Sequence, residues 1–290
     1  MIEFVRTIRR YRNAYRNWIG VLLRLKLNNY PIRARTRASN KILELGNRMM
    51  AYNISWFEIL GYQIIETENG KCVTIEFDNE ISLKFWGAIY DGDLQGIFGQ
   101  NIYGNLDYSG KSVIDIGANI GDSSIYFALR GSKHVYALEP FRKAYEYAIK
   151  NVLENGLADI VTVLNAGIGI ECREIHLDEK TIISGGERAL DKGVGYPVQI
   201  ITLEEILKKY DVSDAILKLD CEGCEYDVIE NATPVVLNTF TDILIEYHFG
   251  IQDIVIKLRR AGFKVNVSPR SRHVGDIVAT KRFNSENTID

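Results

Sequence analysis

The sequence predicts an α/β protein: a seven-stranded, mostly parallel sheet with helices on both faces, preceded by a basic helical segment and a β-hairpin. Three observations predict it. From residue 112 onward short apolar strands alternate with helical stretches, the pattern of a parallel sheet. The small-residue run Gly117 to Gly121 follows the first of these strands and opens a helix. The last two strands, near 263–267 and 274–281, have no helix between them and are therefore expected to be antiparallel.

The bulk composition agrees. The chain has 290 residues, 46% apolar and 25% charged, with a net charge of -3, which fits a folded protein with one core and an appendage. The average conceals an asymmetry. Residues 1–43 carry Arg6, Arg9, Arg10, Arg12, Arg16, Arg24, Lys26, Arg33, Arg35, Arg37 and Lys41 against Glu3, a balance of +10 that leaves -13 for the rest. Such a head is expected to meet something anionic, an anionic membrane surface or RNA, while the acidic body argues against broad nucleic-acid binding.

Taken in order, Phe4, Ile8, Tyr11, Tyr15, Trp18, Leu22 and Leu25 recur at steps of four and three, which predicts one amphipathic helix ended by Pro31. Its apolar face either packs on the core or binds a surface. Strands 72–77 and 80–86 about Asp78-Asn79 predict a lead-in hairpin. The expected division is 1–71 as a mainly helical extension and 72–290 as the α/β domain. Within the latter, strands are predicted at 112–116, 133–138, 160–164, 215–220 and 241–247, and helices at 120–130, 141–155, 203–210, 224–231 and 251–262. An insertion over 170–201 adds strands 173–177 and 197–201 around a glycine-rich stretch, 180–196, expected to form a lid. Thr202 and Glu205 predict a capping box for helix 203–210.

No run approaches the eighteen apolar residues of a spanning helix, and arginines interrupt any leader pattern, so a cytoplasmic protein, peripheral to the membrane at most, is expected. Four cysteines are too few for a disulfide scaffold.

The chemistry concentrates in three segments. Val113 to Asp122 runs from strand through a turn into a helix, with glycine only at 117 and 121 and Asn119 between them. A dinucleotide fingerprint needs three glycines to cradle a pyrophosphate, and Asp115 would repel one, which disfavours a nicotinamide-dependent oxidoreductase. An acid before the turn suits a cationic ligand end. Glu139, at the end of the next strand, stands where a carboxylate grips ribose hydroxyls.

Asp115-Ile-Gly-Ala-Asn-Ile-Gly-Asp122, Leu138-Glu139-Pro140 and Lys218-Leu-Asp220-Cys-Glu222-Gly-Cys-Glu225 resemble the three signature blocks of the FkbM-type methyltransferases. The similarity covers roughly residues 110–282. The resemblance implies a Rossmann-like fold, S-adenosylmethionine as cofactor, and O-methylation of hydroxyls, often on sugars of glycans, glycolipids or metabolites. Carried over, Asp115, Gly117, Ala118, Asn119 and Gly121 would hold the methionine part, Glu139 with Pro140 the ribose, and Asn165 with Ala166 the adenine.

Asp220 and Glu222 stand near the departing methyl group as acceptor-positioning or base residues, whereas Glu225 is expected to cap the next helix. His248 is an alternative base, and Asp220, Glu222 and His248 could together hold a divalent cation, a reading ranked below the metal-free one. Cys221 and Cys224 form a C-x-x-C, a spacing that zinc or redox chemistry can use, but without the second pair that zinc needs, so small buried residues beside the strand and helix are expected. The leading expectation is a small-molecule or glycan O-methyltransferase, and the alternative is an RNA-modifying or RNA-binding protein using the basic head.

Overall fold

The computed structural model describes residues 2–78, 81–178, 191–248, 250–271 and 273–281. It divides into two compact units, Met1–Gly104 with Leu153–Asn155, and Asn105–Val152 with Gly156–Asp290. The hairpin expected to lead into the second domain thus belongs to the first unit.

In the first unit, helices α1 (Ile2–Ala14) and α2 (Trp18–Lys26) replace the single predicted helix. The break has a clear cause. Tyr15 pairs with Thr36 in an isolated antiparallel bridge, and the Asn17 side chain donates to the Arg33 carbonyl and accepts from the Arg35 amide, so strand contacts take over where the helix would continue. The expected apolar face is split with it: Tyr11, Tyr15 and Leu25 are buried, but Phe4 is exposed.

Strands β1 (Ile32–Arg35) and β2 (Ile42–Leu45) form an antiparallel pair, and α3 (Arg48–Leu60) packs on α1, with the Tyr15 hydroxyl donating to the Ala51 carbonyl at 2.8 Å. The "mainly helical" extension is therefore mixed. Strands β3 (Gln63–Thr67), β4 (Gly70–Phe77) and β5 (Ile81–Trp86) make an antiparallel meander, one strand more than the predicted hairpin.

The second unit contains β6 (Ser112–Ile116), α4 (Asp122–Leu129), β7 (His134–Leu138), α5 (Arg142–Glu154) and β8 (Val161–Leu164). There follow β9 (Ala166–Ile168), β10 (Arg173–Leu177), β11 (Tyr196–Ile201), α6 (Leu203–Lys209), β12 (Ala215–Leu219), α7 (Cys224–Asn231) and α8 (Pro234–Asn238). The last elements are β13 (Phe240–Tyr247), α9 (Gln252–Arg260), β14 (Phe263–Pro269) and β15 (Gly275–Lys281).

The main sheet has seven strands in the order β14-β15-β13-β12-β6-β7-β8, with β15 antiparallel to both neighbours. This is the predicted Rossmann-like architecture. The order reverses between β6 and β12, so the crevice beyond their carboxyl ends is the place where such sheets bind ligands. Strand β12 is buried along its whole length, as the centre of a sheet covered on both faces requires. Ile114, Leu217, Ile229, Phe240, Ile254 and Leu258 are among the residues that join strands and helices into one core.

The insertion forms a separate three-stranded sheet, β10-β11-β9. Most of the glycine-rich stretch expected as a lid, residues 179–190, lies outside the described residues. Thr202 caps α6 by accepting from the Glu205 amide, but the Glu205 carboxylate accepts from the Cys172 thiol, so the reciprocal half of the expected capping box is diverted. Among the described residues, no helix is long and apolar enough to cross a membrane.

Candidate functional site

The turn after β6 is built from its own backbone. Gly117 and Ala118 both donate to the Leu138 carbonyl, Asn119 donates to the Glu139 carboxylate at 2.9 Å, and Gly121 donates to the Ala118 carbonyl. Four of its amides are therefore committed internally, which removes the nest of free N–H groups that a pyrophosphate would need.

Glycine is required here for a reason the sequence did not disclose. A Cβ on Gly117 would lie 1.7 Å from the Asp220 carbonyl oxygen, and one on Gly121 would press on Ala148 of α5 at 3.2 Å, while both residues have positive φ, +74° and +82°. These small residues admit the protein's own neighbours. One result is that Asp220 lies directly against the turn.

Asp115 was expected to face the ligand, and the structure corrects this. Its side chain is 0% exposed: one oxygen accepts from the Ser123 and Ser124 hydroxyls, and the other lies 3.2 Å from the Lys218 ammonium. Lys218 is Asp115's register partner on β12, with a side chain 4% exposed, and it also donates to the Ile116 and Gly117 carbonyls. Burial alone would lower its pKa, but the Asp115 and Asp220 carboxylates outweigh that and hold it above the ordinary lysine value. Lys218 thus fastens the turn to β12. A lysine inside the apolar run Ala215-Ile-Leu-Lys-Leu was the signal that could have found it, since a buried cation demands a buried partner.

The residues that remain suit a nucleoside. The Glu139 carboxylate accepts from the Asn119 and Phe141 amides, which fixes it at the end of β7, and a carboxylate there is an acceptor of the kind that ribose hydroxyls require. The Asn119 amide oxygen is buried with no hydrogen-bond partner, an orphan within the turn. Asn165 spends its amide on the Glu139 and Pro140 carbonyls, so it shapes the ribose edge from behind, and Ala166 lies buried at the start of β9. The donor set fits an S-adenosyl nucleoside and does not fit a paired phosphate.

At the end of β12 the chain turns sharply, with Glu222 and Gly223 in the left-handed region at φ 58° and 116°. Glu225, fully buried, accepts from the Cys221 and Gly223 amides and so winds this loop, a role close to the expected cap. Cys221 and Cys224 are joined by a disulfide across the same loop and both are partly exposed, which corrects the expectation of small buried residues.

His248 lies within a ring of carboxylates, 3.1 Å from Glu222, 3.4 Å from Glu225 and 3.5 Å from Glu246. Burial would lower its pKa, yet the three glutamate carboxylates around the ring push it up to about 12. A pKa raised that far favours the imidazolium near neutral pH, which weighs against the alternative-base reading of His248. Asp220 is different. Burial first, with Glu246 and Glu222 adding and Lys218 and His248 opposing, raises its pKa to about 7. Its side chain is 29% exposed and reachable.

Ligand atoms of Asp220, Glu246 and His248 lie within 4.8 Å of one another, so the trio close enough to share a cation has Glu246 where Glu222 was expected. Glu246 is held in turn by Arg270, which also reaches Asp276 at 3.2 Å. Glu246 and Arg270 carried no role in the sequence reading, because an ion pair between a strand end and a distant hairpin leaves no spacing pattern.

A family model described as the methyltransferase FkbM domain matches residues 115–265. The chain belongs to the FkbM methyltransferase family. S-adenosylmethionine is the cofactor that goes with it.

Curated relatives match this family member over a short segment. A probable histone-arginine methyltransferase 1.4 of Arabidopsis thaliana is 44% identical over 75 residues, 26% of this chain and 13% of that protein. The ribosomal protein arginine N-methyltransferase rmt3 of Schizosaccharomyces pombe is 39% identical over 61 residues, 21% of this chain and 11% of that protein. The chain thus spans about an eighth of the length of these relatives. Among solved structures, M. capricolum TrmK in complex with S-adenosyl-homocysteine gives a TM-score of 0.41 at 14% identity, over 63% of this chain and 67% of that one.

Proposed function

We propose that the chain transfers the methyl group of S-adenosylmethionine to a hydroxyl oxygen of a small molecule or glycan, with Asp220 as the base. The observation that carries this reading is the position of Asp220: its carbonyl fills the space at Gly117, and its carboxyl, near neutrality at about 7, stands at the carboxyl edge of the sheet. When bound, the cofactor supplies an electrophilic methyl group and departs as a thioether. Glu139 and the Asn119 amide oxygen hold the nucleoside. Asp220 takes the hydroxyl proton as the new carbon–oxygen bond forms, and Glu222, tied to His248, keeps the loop that carries this edge in place.

A second reading has one observation in its favour. Four carboxylates, Asp220, Glu222, Glu225 and Glu246, surround this edge, and they would suit a cationic acceptor such as arginine, the residue that appears in the names of the relatives sharing short segments with this chain.

Titration calorimetry of the full chain with S-adenosylmethionine and S-adenosylhomocysteine, followed by methyl-transfer assays on glycans, hydroxylated metabolites and arginine peptides, separates these readings. Saturable binding of both nucleosides with transfer to a hydroxyl supports the first. Transfer to arginine alone would replace it with the second, and failure to bind either nucleoside would end both.

A further inference from the structure

The first unit carries a surface that methyl transfer leaves unused. Helix α2 buries Val21 and Leu25 and turns its other side outward. Ile19, Leu23 and Leu27 follow one another at a spacing of four, 58%, 58% and 74% exposed, and so line one stripe at the helix surface. Lys26 lies on one side of this stripe and Arg24 on the other, both exposed. Arg6, Arg9, Arg12, Arg16, Arg33, Arg35 and Arg37 are exposed as well, and among the described residues none of these cations enters a salt bridge.

We propose that this face docks on an anionic lipid surface, with Ile19, Leu23 and Leu27 entering the headgroup–acyl boundary and the surrounding cations meeting lipid phosphates. The combination selects the partner. A row of aliphatic side chains gains only from an apolar phase, and unpaired cations gain from anionic groups beside it, which an anionic bilayer provides together. Single-stranded RNA would gain from a platform of several exposed aromatics for stacking, whereas Tyr11 and Tyr15 are buried in the unit's core, the Arg10 guanidinium lies 4.3 Å from the Tyr52 ring centroid, and the exposed Phe4 lies outside the aliphatic stripe of α2.

The test is flotation of the full chain with phosphatidylcholine vesicles, with and without phosphatidylserine, at low and high salt. The chain should float with the anionic vesicles, and binding should weaken as salt rises. Ile19→Asp with Leu23→Asp should lower partition by at least about tenfold, and Arg24→Glu with Lys26→Glu by about tenfold or more on anionic vesicles. All four side chains are exposed, so the variants should keep the circular dichroism and melting temperature of the parent. Equal partition of the aspartate variant and the parent, or no partition of either, overturns the proposal. So does displacement of the chain from vesicles by a homopolymer RNA, which would make the face a nucleic-acid surface.

Discussion

Lys218 and Asp115 face each other across the central strand pair, 3.2 Å apart and sealed from solvent, and the ammonium reaches on to the Gly117 carbonyl at 2.7 Å. This pair joins the first and third signature blocks. Because Asp220 sits two residues beyond Lys218 and against Gly117, the position of the proposed base depends on a buried charge contact two residues away.

Breaking that contact from one side should be costly. Asp115→Asn or Lys218→Met alone leaves one buried charge poorly compensated, for an expected loss of about 3–5 kcal/mol in unfolding free energy. The double variant should lose clearly less than the sum of the two, since neither charge is then stranded. Urea denaturation of the four proteins checks this, and additive losses would show that the two side chains do not act on each other.

The pH dependence of transfer should report Asp220. Its pKa is raised to about 7, so the proton-accepting form is lost as pH falls below that value, and kcat/KM should rise with pH and level off above it. Asp220→Asn should lower kcat by at least about a hundredfold and abolish the rising limb, while leaving S-adenosylhomocysteine affinity within about threefold. An unchanged profile in the variant would remove Asp220 from the proton path.

The sheet was legible because a buried parallel strand is a short apolar run, and each of the seven predicted runs became a strand of the main sheet. Helix α7 falls on its predicted 224–231 for a similar local reason, a tight glycine turn followed by an apolar face. The first unit was less legible. Tyr11, Tyr15 and Leu25 do keep a helical spacing, but the break at Asn17 comes from hydrogen bonds to Arg33 and Arg35, which no local pattern announces. The same holds in the site. Proximity in sequence marked Asp220 and Glu222, whereas the Glu246–Arg270 contact and the partner of Asp115 are set by strand register.

His248 should act on stability and not as a base. Its folded pKa is raised from the ordinary 6.5 to about 12, so its stabilising contribution is fully present below 6.5 and is lost progressively as pH rises through about 12. His248→Gln removes the cation and leaves Glu222, Glu225 and Glu246 repelling one another. The melting temperature of the variant should therefore fall furthest below the parent's near pH 6, with the gap narrowing steadily toward pH 10. A gap that stays constant over that range would mean that the imidazolium does not hold the ring together.

The disulfide between Cys221 and Cys224 closes the loop that carries Glu222, and both cysteines are partly exposed, within reach of a small dithiol. Reduction by dithiothreitol transfers two electrons and two protons to the cysteine pair and converts the reagent into its cyclic disulfide. The opened loop keeps the Glu225 hydrogen bonds to Cys221 and Gly223 but loses its covalent closure, so Glu222 should wander from His248. The expected outcome is a higher acceptor KM with the affinity for S-adenosylhomocysteine unchanged, because Glu139 and Asn119 lie on other elements. Cys221→Ser with Cys224→Ser should reproduce the reduced behaviour and no longer respond to the reagent. If the parent and the double serine variant show the same acceptor KM in its presence and absence, the bridge has no part in holding the acceptor edge.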